Sequence, residues 1–146
     1  MSRRIYKREA EAPLERLFRA LADRTRLRLL NLMRDQEICV CYFVEVLRSS
    51  QPKISRHLAY LRKAGAVAAR RQGTWMHYRI VNPSDPRAAR ILKEVLASLA
   101  DDREMQRDLQ RLHAACCTPQ KFVTLQGAPA PVRLSEQLQE GVRSGE

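Results

Sequence analysis

Apolar residues recur at helical spacing near the start of the chain. An amphipathic helix is predicted over residues 11–22, because its apolar side chains follow the i, i+3, i+4, i+7 pattern: Leu14, Leu17, Phe18 and Leu21. A second helix is predicted over residues 24–34, with Asp23 as N-cap and a core face of Leu27, Leu30 and Met33. Its arginines are expected on a solvated face: Arg24, Arg26 and Arg28.

A polar break at residues 35–37 precedes a short apolar helix at 42–47. The next helix is predicted to begin at the N-cap Ser50, to accept Pro52 in its first turn and to end at Gly65. Its core face is Ile54, Leu58 and Leu61, and its outward or flanking positions are Gln51, Lys53, Ser55, Arg56 and Tyr60. Two helices joined by a short turn, with polar and basic side chains early in the second, are typical of a helix-turn-helix.

A basic hairpin is predicted directly after this motif. Residues 66–71 and 74–81 have the composition of two strands, and Gln72-Gly73 lies where a tight turn is needed. Such a hairpin is typical of a wing, whose tip reaches a neighbouring groove or phosphates. The predicted fold class is therefore mostly α with a small β-hairpin (α+β), a winged helix-turn-helix.

The apolar stripe then continues from Ala89 to Leu112, interrupted by polar residues at 101–103, which predicts one bent helix or two. A stripe outside a compact winged helix needs a partner, and we expect a second copy of the chain to supply it. The predicted organisation is a flexible basic arm at 1–10, a DNA-binding and dimerisation domain at 11–117 and a flexible C-terminal tail at 118–146. Within the tail, residues 134–139 are expected to form at most a short helical turn.

The formal net charge of +11 indicates a polyanionic partner, because lysine and arginine release counterions from phosphate. Residues 46–84 carry eight basic side chains and no acidic one. The expected DNA contacts are Gln51, Lys53, Ser55, Arg56 and His57 in the helix and Arg70, Arg71 and Thr74 in the wing.

No apolar run is long enough to span a bilayer and no secretory signal is evident, so we expect no membrane and a cytoplasmic protein. Its four cysteines are then expected to be thiols.

Three strings in residues 21–80 resemble the ArsR/SmtB family of dimeric, metal-sensing repressors: LADRTRLRLLNLM, EICVCYFVEVLRSSQPKISRHLAYLRKAGAV and RRQGTWMHYRI. The resemblance implies a homodimer that binds operator DNA and releases it when a metal or metalloid binds. Cys39-Val40-Cys41 further resembles the branch that responds to arsenic and antimony. In that branch a third cysteine follows three places after the second, where this chain has Val44. The residue after the second cysteine is usually acidic, and here it is Tyr42.

Trivalent arsenic is thiophilic and takes three thiolates, whereas zinc prefers a tetrahedral set of four ligands. Cys39 and Cys41, at a loop-to-helix junction, can both turn toward one ion, and a helix N-terminus favours the thiolate. The adjacent pair Cys116 and Cys117 could complete that site or form another. With His113 the pair could also begin a zinc cluster, but a fourth ligand is lacking, so zinc is the weaker candidate. The inducer expected is trivalent arsenic or antimony, as arsenite, antimonite or a methylated arsenical.

Other readings of the cysteines stay open. They could be small buried hydrophobes, a thiol redox switch, or the site of a zinc, cadmium or lead sensor with the same fold. A thiol redox enzyme or arsenate reductase would need a C-x-x-C motif or a Gly-rich anion loop, and the chain has neither. We therefore predict a repressor and no enzyme. His57 and His77 are expected to face DNA or to pack. Drawing the sulfurs of Cys39 and Cys41 together should distort the first helix of the motif and move the helix that leans on it.

Overall fold

Helices and strands of the computed structural model, which describes residues 12–135, follow the predicted order with two additional strands, one before and one after the hairpin along the chain. The helices are α1 (Pro13–Leu21), α2 (Arg24–Met33), α3 (Val40–Leu47), α4 (Gln51–Lys63), α5 (Pro86–Leu99) and α6 (Arg103–Cys117). The strands are β1 (Gln36–Cys39), β2 (Val67–Gln72), β3 (Trp75–Ile80) and β4 (Val132–Arg133). The strands pair antiparallel in the order β2-β3-β1-β4.

Side-chain caps set the starts of α2 and α4 as the sequence predicts. Asp23 accepts a hydrogen bond from the Arg26 amide, and Ser50 accepts one from the Lys53 amide. Gly65 follows α4 with a φ of +76°, a conformation that glycine adopts without steric cost. The long C-terminal stripe resolves into two helices, because Asp102 caps α6 after the turn that ends α5. The winged helix-turn-helix prediction is confirmed.

The core lies between α2, α3 and α4 and one face of the sheet. Its largest fully buried side chains include Leu29, Leu30, Phe43, Ile54 and Leu58. The predicted core faces of α2 and α4 are thus largely confirmed, although Leu27 of α2 is only half-buried. No helix within residues 12–135 is both long and apolar enough to cross a membrane.

The polar break predicted at residues 35–37 is wrong from Gln36 onward, because Gln36–Cys39 is β1. Ile38 pairs with Tyr78 and Cys39 with His77 of the wing, while Glu37 pairs with Val132 of β4. A four-residue strand with two polar residues has no recognisable period. It forms because β3 offers an unpaired edge and Ile38 enters the core.

Residues 118–135 have regular structure that their composition does not predict. Two 3₁₀ turns (Pro119–Lys121 and Val123–Leu125) lead to β4. Leu125 is buried, and the Thr124 hydroxyl donates a hydrogen bond to the Glu45 carboxylate of α3. The basic arm at 1–10, and most of the helical turn expected at 134–139, lie outside the described residues. The domain boundaries stay a prediction.

The arginines of α2 form specific contacts, and the expected solvated face is wrong for Arg26 and Arg28, which are half-buried. Arg28 donates two hydrogen bonds to Asp108 of α6, at 2.7 and 2.9 Å. Arg26 donates to the carbonyl groups of Ala20 and Arg19, and its guanidinium lies 4.2 Å from the ring centre of Tyr60. Arg24 is half-exposed but pairs with Asp102 and Glu104. The acidic partners lie some 80 positions away, and local sequence cannot reveal them.

Candidate thiol site and nucleic-acid interface

The basic surface of α4 is oriented by the turn after α3. Arg48 ends α3 in the left-handed region, with φ 51° and ψ 45°, and Ser50 then caps α4. Because Ile54, Leu58 and Leu61 are buried, the opposite face of α4 is turned to solvent. Gln51, Lys53 and Arg56 are exposed on it, and Ser55 is half-buried. Four of the five predicted helix contacts therefore lie at or beside the exposed N-terminal half of α4.

His57, the fifth of those residues, points elsewhere. Its Nδ1 atom lies 3.7 Å from a carboxylate oxygen of Asp23 and 3.4 Å from Nη1 of Arg26. Burial lowers the pKa of His57, and the nearby Asp23 only partly opposes it. His57 thus packs as a largely neutral imidazole against the start of α2, apart from the exposed row of Lys53 and Arg56.

Two of the three DNA contacts predicted in the wing are exposed, and the third is paired within the protein. Arg71 and Thr74 are exposed beside Gly73, whose φ of +59° makes the turn. Arg70 instead donates two hydrogen bonds, of 2.6 and 3.0 Å, to Oε1 of Glu37. His77 is buried and bonds through Nε2 to Gln72 at 2.9 Å, so it is a packing residue.

Glu37 is a buried charge that sequence reasoning missed. Only 3% of its side chain is exposed, and Arg79 lies 3.7 Å from its second oxygen, Oε2. Burial acts to raise the pKa of Glu37, but Arg70, His77 and Arg79 outweigh it and hold that pKa below its usual value. No clear signal in the sequence points to it, because β1 is only four residues long and its last three residues are all buried.

The sulfurs of Cys39 and Cys41 are 2.8 Å apart. Cys39 is the last residue of β1 and the N-cap of α3, with extended backbone, and Cys41 lies in the first turn of α3. The first cysteine therefore precedes the helical turn, as the spacing required, and both sulfurs meet. The Cys41 thiol donates to the Cys39 sulfur, which outweighs burial and lowers the pKa of Cys39 to about 7, with help from the amides of Cys41 and Val40. The hydrogen bond that Cys41 donates to Cys39, together with burial, raises the pKa of Cys41.

Tyr42 separates this pair from the cysteines of α6. Its side chain is buried, and α6 packs against α3. Burial raises the pKa of the Tyr42 phenol, and charges on Cys116, Cys41 and Cys39 raise it further. Among the residues described, no three potential ligands converge as a ready metal site. Within the described residues the four cysteines therefore do not converge: Cys39 and Cys41 meet at the junction of β1 and α3, and Cys116 and Cys117 lie at the end of α6.

The two cysteines of α6 have different surroundings. Cys116 is half-buried in a cleft of about 420 Å³ that Gln36, His113 and Arg133 also line. Burial raises the pKa of Cys116, and the neighbouring Cys117 adds to the shift. Cys117 is exposed, with its sulfur 3.6 Å from Nε2 of His113. Val44, where the resemblance expects a thiolate, packs as a half-buried apolar side chain against the core.

Comparison with known proteins connects this fold to one family. The model described as "Bacterial regulatory protein, arsR family" matches residues 23–69. The arsenical resistance operon repressor of Escherichia coli K12 is 48% identical over 79 residues, which cover 53% of this chain and 68% of the relative. The chain belongs to the arsR family. It is thus a DNA-binding transcriptional regulator.

Two further similarities support the assignment to the arsR family. ArsR1, an arsenic resistance regulator of Pseudomonas putida KT2440, is 52% identical over 65 residues, covering 44% of this chain but only 51% of the relative. The homodimeric winged helix-turn-helix domain Mb0332 of Mycobacterium bovis superposes with a TM-score of 0.51 at 28% identity, covering 62% of this chain and 82% of that structure. The matched region of the arsR-family chain spans 68% of the Escherichia coli repressor and 51% of ArsR1.

Proposed function

We propose that this chain is a homodimeric repressor that leaves its operator when trivalent arsenic or antimony binds the thiolates of Cys39 and Cys41. The single observation that carries the proposal is the 2.8 Å contact between the two sulfurs at the junction of β1 and α3. One of these sulfurs has a pKa lowered to about 7, so a thiolate is available at neutral pH. Arsenic as the inducer is supported by the arsenic-resistance relatives.

Arsenic binding is an exchange of oxygen for sulfur without a change of oxidation state. Arsenous acid loses one hydroxyl for each sulfur that binds; the hydroxyl leaves as water with the proton of a thiol or, where the sulfur is already a thiolate, with a proton from solvent. Cys39 and Cys41 provide two of the three sulfurs that the ion prefers. Cys116, near Tyr42 on the facing helix, is our candidate for the third, with Cys117 next to it. A methylated arsenical, which carries one carbon already, would need only the first two.

Operator binding is assigned to α4 and the tip of the wing. Gln51, Lys53 and Arg56 would contact bases and phosphates at the major groove, with Ser55 beside them, while Arg71 and Thr74 would reach the flanking backbone. Two copies are needed to read two half-sites one helical turn apart, about 34–36 Å. The homodimeric relative supports that assembly, and the half-exposed Phe18 of α1 offers apolar surface for it. We place the protein in the cytoplasm, where its thiols stay reduced.

The switch follows from the position of the sulfurs. Closing Cys39 and Cys41 on an ion changes the first turn of α3, and α3 packs directly on α4. Coupling between ligand and DNA in such systems is about 1–3 kcal/mol, which weakens binding roughly 5- to 150-fold.

Fluorescence anisotropy on a footprinted operator fragment tests the proposal. Wild-type protein, Cys39→Ser/Cys41→Ser and Cys116→Ser/Cys117→Ser are each titrated with arsenite, antimonite, zinc and cadmium. We expect arsenite and antimonite to release the wild type, and neither to release the Cys39→Ser/Cys41→Ser protein. Continued release from that variant would show that the sulfurs at β1 and α3 are not the sensor. The contact of His113 with Cys117 favours zinc as a second candidate, which release by zinc alone would support.

A further inference from the structure

The buried carboxylate of Glu37 joins β1 to the wing. A carboxylate with 3% of its side chain exposed requires a charged or hydrogen-bonding partner, because an unpaired buried charge is strongly unfavourable. Arg70 of β2 provides two hydrogen bonds to it, and Arg79 of β3 lies 3.7 Å away. Both strands of the wing therefore contribute a cation to one anion on β1.

The same strand ends at the sulfur site. Glu37 and Cys39 are two residues apart, so their side chains share one face of the sheet. Cys39 lies opposite His77 on β3, and His77 lies opposite Arg70 on β2. A single row across three strands thus leads from the sulfur to the wing arginine, with Glu37 beside it.

We propose that Glu37 is the positioning residue through which the cysteine pair controls the wing. The proposal rests on the proposed function, in that a thiophilic ion binds Cys39 and Cys41. Drawing the Cys39 sulfur toward the ion shifts the end of β1, and Glu37 carries the shift to Arg70 and Arg79. The wing then loses the orientation in which its tip meets DNA, in addition to any effect that passes from α3 to α4. In this proposal Arg70 holds the wing in position through Glu37, and Arg71 and Thr74 contact the DNA.

The chain offers a matched control for the charge itself. Asp35 is exposed, two positions before Glu37, and among residues 12–135 only its backbone carbonyl is engaged, by the Leu134 amide. Glu37→Gln and Asp35→Asn each remove one negative charge, at positions two residues apart. A general electrostatic effect on DNA affinity would therefore be common to both variants, whereas a positioning effect would belong to Glu37→Gln.

The test measures two quantities for each full-length variant. Arsenite affinity without DNA is followed by the ultraviolet absorption of arsenic-thiolate bonds, and operator affinity is measured with and without saturating arsenite. The ratio of the two operator dissociation constants is the coupling factor. We expect Glu37→Gln to bind arsenite within about twofold of wild type and to lose at least two thirds of its coupling factor, where a factor of roughly 5–150 is usual. Asp35→Asn is expected to keep both values.

A second variant keeps the test informative if Glu37→Gln folds poorly. Arg70→Gln removes the partner at a side chain that is 45% exposed, and it should lower the coupling factor to the same level. The double variant Glu37→Gln/Arg70→Gln should be no worse than either single variant, because both break one contact. Unchanged coupling in Glu37→Gln or in Arg70→Gln would overturn the positioning role. Wild-type protein that ignores arsenite would instead overturn the proposed function, so the two failures are distinct.

Discussion

Cys41 donates a hydrogen bond to Cys39 across 2.8 Å, and this contact moves the pKa values of the two thiols apart. The pKa of Cys39 falls from its ordinary value near 9 to about 7, because the donated hydrogen bond and two backbone amides stabilise its thiolate. The pKa of Cys41 rises, because its proton is held between the two sulfurs. The folded pair therefore holds one proton over a wide pH range.

Folding stability should depend on pH through this pair. Between about pH 7 and pH 8.5 the folded pair binds one proton fewer than unfolded cysteines, so stability rises with pH at up to about 1.4 kcal/mol per unit. Above about pH 9 the unfolded cysteines have lost both protons and the folded pair retains one, so stability falls again. Urea unfolding under reducing conditions at each pH measures this, with Cys39→Ser as the control. A difference between wild type and Cys39→Ser that stays flat from pH 7 to 8.5 would contradict it.

The ion pair of Arg28 with Asp108 should be important for stability. The Asp108 side chain is 1% exposed and accepts two hydrogen bonds from Arg28, which fastens α6 to α2. Replacing Arg28 with Ala leaves the carboxylate buried without its partner, and we expect a loss of about 3 kcal/mol. Arg24→Ala, at a half-exposed pair, should cost less than about 1 kcal/mol. The free energy of unfolding of each variant is measured by urea denaturation. Equal losses of stability in the two variants would mean that burial of Asp108 is unimportant.

Salt dependence should separate phosphate contacts on α4 from other basic residues. Lys53→Ala and Arg56→Ala should each weaken operator binding and reduce the slope of log affinity against log salt by about 0.9. Lys63→Ala, at the opposite end of α4, removes the same charge and should leave the slope unchanged. Anisotropy titrations at four or more salt concentrations provide the slopes. If all three variants lowered the slope alike, the charge of the whole helix would matter rather than its N-terminal half.

The C-terminal segment should be anchored by Leu125. This side chain is 1% exposed in the 3₁₀ turn that packs on α3, so Leu125→Ala removes buried apolar volume and should cost about 2 kcal/mol. Val123 in the same turn is 83% exposed, and Val123→Ala should change stability by less than about 0.5 kcal/mol. Urea unfolding compares them. Two neutral variants would indicate that residues 118–135 contribute nothing to the stability of the core.

The sequence by itself determined the winged helix-turn-helix, because its signals are local. Each of these signals acts over a few residues and favours one geometry: the periodic Ile54, Leu58 and Leu61, the Ser50 cap and Gly73 at the turn. The pairing of Cys39 with Cys41 was within reach for the same reason, since only two positions separate them.

Tertiary structure alone decided which of the basic residues are free to meet DNA. Arg28, Arg70 and His57 are basic residues of the kind that bind nucleic acid. In the fold, however, Arg28 pairs with Asp108, Arg70 with Glu37 and His57 with Asp23. β1 and β4 likewise exist only because strand edges distant in sequence meet. Such contacts join positions more than thirty residues apart, and no local spacing specifies them. A buried carboxylate selects its arginine only once the chain has brought both into the same low-polarity surroundings.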